Sequence, residues 1–144
     1  MKVKEYSLKY NKTGIDTRII RNSTDTSEVL REVFDADEIN IYECFYILLL
    51  NNSLKVQGFA KISQGGITQT TADTRLIAKY AIDSLASNVV LAHNHPSGNT
   101  SPSGQDKRLT DNIVKALDLL EIKVIDHIIL TDNDYYSFRD GGLL

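Results

Sequence analysis

Val89-Val90-Leu91-Ala92-His93-Asn94-His95-Pro96-Ser97-Gly98 is the stretch that decides how the rest of the chain is read. Four consecutive apolar residues mark a strand covered on both faces, because a half-exposed strand would alternate with polar residues. Such a strand needs helices on either side of its sheet, which points to a layered α/β domain. The apolar run leads straight into two histidines, and Pro96 and Gly98 then turn the chain away.

Downstream, Ser103 to Leu120 reads as a helix with Leu109, Ile113, Leu117 and Leu120 as its apolar stripe. Lys123 to Leu130 reads as a long strand and Tyr135 to Phe138 as a short one. Upstream, Thr74 to Ala86 has helical spacing, with Ile77, Ala78, Ala81, Ile82 and Leu85 on one face and Asp73 as N-cap. Ile39 to Leu50 and Leu54 to Ile62 form a hairpin pattern around Asn51-Asn52-Ser53, and Gly65-Gly66 ends it. Thr24 to Phe34 reads as a first helix. Asp25 and Glu28 have capping-box spacing there, and Val29, Val33 and Phe34 form the stripe. The first 22 residues read as a polar extension with weak strand character at Tyr6, Leu8 and Tyr10, then at Ile15 and Arg18-Ile19-Ile20. The expected organisation is an extension and first helix over residues 1–38, then the main α/β unit over 39–144, within one compact domain.

The chain's 144 residues suit one domain with a single sizeable core. Its 42% hydrophobic and 24% charged residues are ordinary for a globular protein. No apolar run approaches the roughly 20 residues that a membrane helix needs. Nothing in Met1-Lys2-Val3-Lys4-Glu5-Tyr6 resembles a signal-peptide core, and the single cysteine, Cys44, rules out an intrachain disulfide. These features lead us to expect a cytoplasmic protein. A net charge of −3 gives no clear nucleic-acid patch. Lys107-Arg108 and the Arg18/Arg21 pair are the nearest approach to one, and two neighbouring cations are ordinarily a solvated face.

The chemistry concentrates after the buried strand. In extended backbone His93 and His95 point to the same face with Cα atoms about 6.5 Å apart, so both imidazoles can reach one metal ion. Asp106 lies three, seven and eleven residues before Leu109, Ile113 and Leu117, so it faces inward with the apolar stripe. An inward carboxylate needs a partner, and a metal held by two histidines supplies one. Two histidines and one carboxylate make the three-ligand set of a zinc site that keeps its fourth position open. Hydrolysis then needs a base, for which Glu5, Glu28, Glu32, Glu38, Glu43 and Glu121 are candidates. Glu43 stands out because it sits among apolar residues, although a strand-edge carboxylate would fit there too. Ser103 reads as a helix N-cap, His127 as a core residue or a support for the ligands, and Cys44 as a small buried hydrophobe. Other metal chemistries fail on particular residues. One cysteine cannot supply the Pro-Cys-x-x-Cys of nucleobase deaminases, and the His-Glu-x-x-His helix is absent. No Walker loop or Gly-x-Gly-x-x-Gly occurs.

His93-x-His95, seven residues, Ser103, two residues, Asp106 is similar to the JAMM pattern of the JAB/MPN metallopeptidases. Within that superfamily the chain resembles the RadC branch, in Val90 to Gly98 with Pro102-Ser103 and Asp106. It does so also in Glu43-Cys44-Phe45, Gly66, Arg75 with Ala81-Ile82, Asp126-His127-Ile128, and Tyr135-Tyr136-Ser137-Phe138 with Gly142. The resemblance covers roughly residues 39–144. It implies a three-layer α/β/α fold with a mixed sheet, like that of cytidine deaminases. It implies zinc on His93, His95 and Asp106, Glu43 as the base that activates water, and Ser103 as a group stabilising the oxyanion. The implied partner is a protein or peptide cut at a peptide or isopeptide bond. Asp73-Thr74-Arg75-Leu76 departs from the His-Pro-Arg-Glu frequent in relatives. The helix-hairpin-helix region linked to DNA in typical RadC proteins is not expected in a chain of this length. A non-catalytic or DNA-associated module connected with DNA repair, or a nuclease using the same metal, are the alternatives.

Overall fold

The computed structural model describes residues 1–65 and 71–144. Gly66 lies outside the described residues. The elements run α1 (Ser23–Val33), β1 (Cys44–Leu50), β2 (Val56–Gln64), α2 (Thr74–Asp83), β3 (Asn88–Asn94), α3 (Gly104–Asp118), β4 (Lys123–Leu130) and β5 (Tyr135–Ser137). They build a five-stranded mixed sheet in the order β2-β1-β3-β4-β5. The central β3 runs antiparallel to β1 and parallel to β4. A parallel pair needs a crossover, and α3 provides it, so the chain leaves the end of β3 and enters a helix before returning.

All seven residues of β3 are buried, as its unbroken apolar run requires. Side-chain alternation divides the core into two layers. On one face Cys44, Leu48 and Leu50 of β1, Val90 and Ala92 of β3, and Ile128 and Leu130 of β4 pack with Val29, Leu30 and Val33 of α1. On the other, Phe45, Ile47 and Leu49, Val89 and Leu91, and Val124 pack with Ile77 and Ala81 of α2 and Ile113 and Leu117 of α3. This is the expected α/β architecture, helices over both faces of a mixed sheet.

Several local expectations are corrected. Residues 39–41 form turns and residues 42–43 are irregular, rather than the start of a strand, so β1 begins at Cys44. The N-cap of α1 is Asn22, whose side chain accepts from the Asp25 amide, while Asp25 accepts from the Arg21 amide. Asp25 therefore answers the cap instead of being it, and Glu28 has no part in the box. Asp73 does cap α2. However, Ile82 lies within α2 but off its buried Ile77–Ala81 face and is exposed, and α2 ends at Asp83, so Leu85, with a φ of 56°, lies beyond it and is exposed too. Leu120 lies past the end of α3 and is exposed too. Tyr6, Leu8 and Tyr10 form no strand and are exposed, whereas residues 18–20 run beside β2, with Ile20 N–H donating to the Leu54 carbonyl and Val56 N–H to that of Arg18. Arg31 of α1 donates to the carbonyls of Thr131, Asp132 and Asp134, which ties the helix to the β4–β5 turn.

Asp126 anchors the C-terminal hairpin. It accepts from the Ser137 hydroxyl at 2.6 Å and from the amides of His127 and Arg139. Burial pushes its carboxyl above the ordinary range despite those bonds. A raised value in the folded state favours the protonated form. The stability it contributes is therefore full below the unfolded value near pH 4 and is lost as pH rises through the folded value. Asp126→Asn keeps the acceptor for both amides and can donate to Ser137, so it should flatten that fall. Urea unfolding between about pH 4 and about pH 7 checks this, and equal slopes for both proteins would contradict it.

Candidate metal centre

The carboxyl end of β3 and the first turn of α3 meet where the parallel crossover opens, the usual place for a site in an α/β sheet. His93, in register with Phe45 of β1 and Ile129 of β4, projects toward α3. Its ring stacks parallel to Phe45 at a centroid distance of 5.9 Å. His95 lies just past the strand, held by its own amide to the Leu130 carbonyl. The two Nε2 atoms are 3.0 Å apart. The convergence expected from the i, i+2 spacing is therefore present, even though β3 ends at Asn94.

Asp106 enters from α3. Its Oδ1 is 3.3 Å from Nε2 of His93 and its Oδ2 3.4 Å from Nε2 of His95. Ser103 and Asp106 form a reciprocal capping box. The Ser103 hydroxyl oxygen accepts from the Asp106 amide at 3.0 Å, and Asp106 Oδ2 accepts from the Ser103 amide at 2.8 Å. The box and the positive end of α3 both suit an ionised carboxylate. Burial alone would push Asp106 up, but the adjoining imidazoles of His93 and His95 outweigh it and hold the carboxyl far below the ordinary range. The same contact raises the His95 imidazole, against the opposing effect of burial.

Glu43 reaches the centre from the turn before β1. Its Oε1 lies 3.9 Å from Nε2 of both His93 and His95. Glu43, His93 and His95 form a cluster whose ligand atoms lie within 4.8 Å of one another, a group that could hold a metal ion. The donor chemistry fits zinc. The Nδ1 atom of His95 faces the carbonyl of Asn99 at 2.7 Å, so Nδ1 carries a proton and the neutral ring presents its lone pair on Nε2. Tetrahedral zinc with bonds near 2.0–2.1 Å has ligand–ligand edges of about 3.3 Å, close to the separations among His93, His95 and Asp106.

Asn94, between the two histidines, is the residue of this region that the motif alone does not single out. It points to the opposite face from His93 and is fully buried. Its Oδ1 accepts from the Cys44 amide at 2.7 Å, and its Nδ2 donates to the carbonyls of Ile39 and Tyr42 at 2.7 Å each. The backbone is thus pinned on both sides of Glu43. The only sequence signal was a buried amide between two histidines. His127, read as core or support, is fully buried, with Nε2 at 2.7 Å from Nδ1 of His93. Burial drives its imidazole well below the ordinary value and so keeps it neutral. Burial also raises the Cys44 thiol, which sits inside the core as expected.

A family model described as RadC-like JAB domain matches residues 20–143. The chain belongs to the RadC-like JAB family. Among its relatives, a UPF0758 protein of Flavobacterium johnsoniae is 45% identical over 102 residues, covering 71% of this chain and 44% of that protein. One from Porphyromonas gingivalis is 48% identical over 103 residues, 71% of this chain and 45% of the relative. One from Fusobacterium nucleatum is 38% identical over 136 residues, 93% of this chain and 57% of the relative. This RadC-like chain thus spans about half the length of the curated relatives it matches. None of its helices, among the described residues, is long and apolar enough to cross a membrane.

The Asn94 bonds give a direct test of how the RadC-like chain holds its glutamate. Asn94→Ala strands one amide and two carbonyls in the interior, which should lower the unfolding free energy by roughly 3 kcal/mol in urea titrations. The Cys44 amide should also lose its protection from hydrogen exchange. A loss below about 1 kcal/mol would show that the loop holds itself.

Proposed function

We propose that this chain is a zinc-dependent hydrolase of peptide or isopeptide bonds. The observation that carries the reading is the difference between its two carboxylates. Asp106 lies 3.3 and 3.4 Å from the imidazole nitrogens, at coordination-edge distance, whereas Glu43 stands 3.9 Å from the same atoms. His93, His95 and Asp106 are thereby suited to hold the ion, and Glu43 stands one step further out, where a general base belongs.

A zinc ion there would supply Lewis acidity, lowering the pKa of water and polarising the scissile carbonyl. The chain's own residues do the rest. Glu43 Oε takes a proton as the water oxygen bonds to the carbonyl carbon. As the carbon–nitrogen bond breaks, Glu43 returns that proton to the departing nitrogen. The turn fixed by Asn94 keeps the carboxylate in place for both transfers. Ser103 accepts a hydrogen bond through its oxygen in the helix cap. Its hydroxyl proton is not used by that bond and is suited to donate to the oxyanion. A non-catalytic module that keeps the fold would have little reason to hold a second carboxylate beside the histidine pair, because each buried charge is costly. Nor does the overall charge of −3 favour a DNA-associated role.

Three proteins test the assignment: wild type, Glu43→Gln and Asp106→Asn. Wild type and Glu43→Gln should each hold one zinc by mass spectrometry, and Asp106→Asn should bind it far more weakly. Against a peptide and isopeptide library, Glu43→Gln should lose about 100-fold or more in rate. Full activity in Glu43→Gln would remove Glu43 as the base. Loss of zinc in that variant, with retention in Asp106→Asn, would exchange the two roles.

A further inference from the structure

His127 and Thr110 touch no reacting position, yet they form a directed chain of hydrogen bonds that ends on His93. Thr110 Oγ1 lies 2.7 Å from the carbonyl oxygen of Asp106. A carbonyl has no proton, so the threonine hydroxyl donates to it. That uses the single hydroxyl proton. The contact of 2.6 Å between Thr110 Oγ1 and Nδ1 of His127 must therefore be donated by the imidazole. A neutral His127 with its proton on Nδ1 carries a lone pair on Nε2. That lone pair faces Nδ1 of His93 at 2.7 Å, so His93 donates from Nδ1. In the neutral ring the lone pair of His93 is then on Nε2, the atom turned toward His95 and Asp106.

We propose that Thr110 and His127 are positioning residues that set the tautomer of His93 and so prepare its Nε2 for the metal. The metal half of this inference rests on the zinc reading above, whereas the tautomer half does not. His95 obtains the same tautomer from one backbone carbonyl, that of Asn99. His93 sits in mid-sheet, flanked by β1 and β4, where carbonyls serve the ladders on both sides. Side chains therefore carry the polarity to it from a carbonyl of α3, that of Asp106. Both ends of the chain lie on Asp106: its carbonyl starts the relay and its carboxylate meets His93 at 3.3 Å. Aromatic packing holds the rings in line. Phe138 stacks on His127 at 4.5 Å with an interplanar angle of 14°, and Phe45 meets the same ring edge-on at 5.6 Å.

The alternative is a threonine bonding back along its helix and a histidine merely satisfied in the core. Thr110→Val keeps the shape and removes the hydroxyl, Thr110→Ser keeps the hydroxyl, and His127→Phe keeps an aromatic ring but removes the acceptor. Long-range proton–nitrogen spectra of the histidines, recorded on chelator-treated protein and again after zinc is added, read the tautomers directly. Both His93 and His127 should carry the proton on Nδ1 in wild type and in Thr110→Ser. In Thr110→Val and His127→Phe, His93 should shift toward the Nε2-protonated form. Zinc affinity by chelator competition should fall about 10- to 100-fold in those two variants and stay near wild type in Thr110→Ser. An Nε2-protonated His127 in wild type overturns the relay. So does a Thr110→Val protein that keeps both the His93 tautomer and the zinc affinity. A His93 tautomer that shifts as described in a protein whose wild type takes up no zinc would leave the relay standing and remove the metal from it.

Discussion

Polar side chains at the end of a fully buried strand must find partners, and the whole centre follows from that cost. An unpartnered amide or imidazole in the interior costs several kcal/mol in transfer terms, and an unpaired charge far more. β3 carries His93 and Asn94 into the interior as its last two residues. Alternation sends them to opposite faces, so each must be satisfied by a different layer. His93 finds His127 and, through it, Thr110 on the α3 side. Asn94 finds three backbone groups of residues 39–44 on the α1 side. Among the described residues, no buried side-chain nitrogen or oxygen lacks a partner. The arrangement that relieves the strand end also delivers the glutamate and orients the histidine.

The two carboxylates differ through their supports rather than their chemistry. Asp106 stands in the first turn of α3, where helix amides and the Ser103 amide favour a negative charge. Glu43 comes from a turn with no helix behind it and meets the imidazoles at longer range. On the proposed reading, separation of this kind would let one carboxylate stay ionised against a metal while the other exchanges protons.

Much of this was legible in the residues. The apolar run at Val89–Ala92 gave the central strand, and Lys123–Leu130 was read with its observed bounds. Ser103 and Asp73 cap their helices as expected, because capping depends on neighbours within one turn. The misses share a cause. Residues 39–43 have the composition of a strand, but Asn94, fifty residues away, claims their backbone for a turn. Leu85 fits the period of α2, but the helix stops at Asp83 and Leu85 adopts positive φ, which no periodicity reports. His127 was visible as a buried histidine, whereas its tie to His93 needs the register of β3 against β4.

That division between short-range and long-range signals has a consequence for how the centre works. The contacts that aim Glu43 lie on the α1 face of the sheet, and those that orient His93 lie on the α3 face. They adjoin at the peptide of His93 and Asn94 and meet again where Glu43 lies 3.9 Å from His93. Residues in contact couple, so the two sets are distinct without being independent. On the proposed reading, then, proton transfer and metal affinity are governed by separate sets of hydrogen bonds, one per layer. A change under α1 would bear first on the base, and a change under α3 first on the ion. Because its side chains alternate, a single strand end gives one site a distinct support in each layer, and the amide between the two histidines supplies the one under α1.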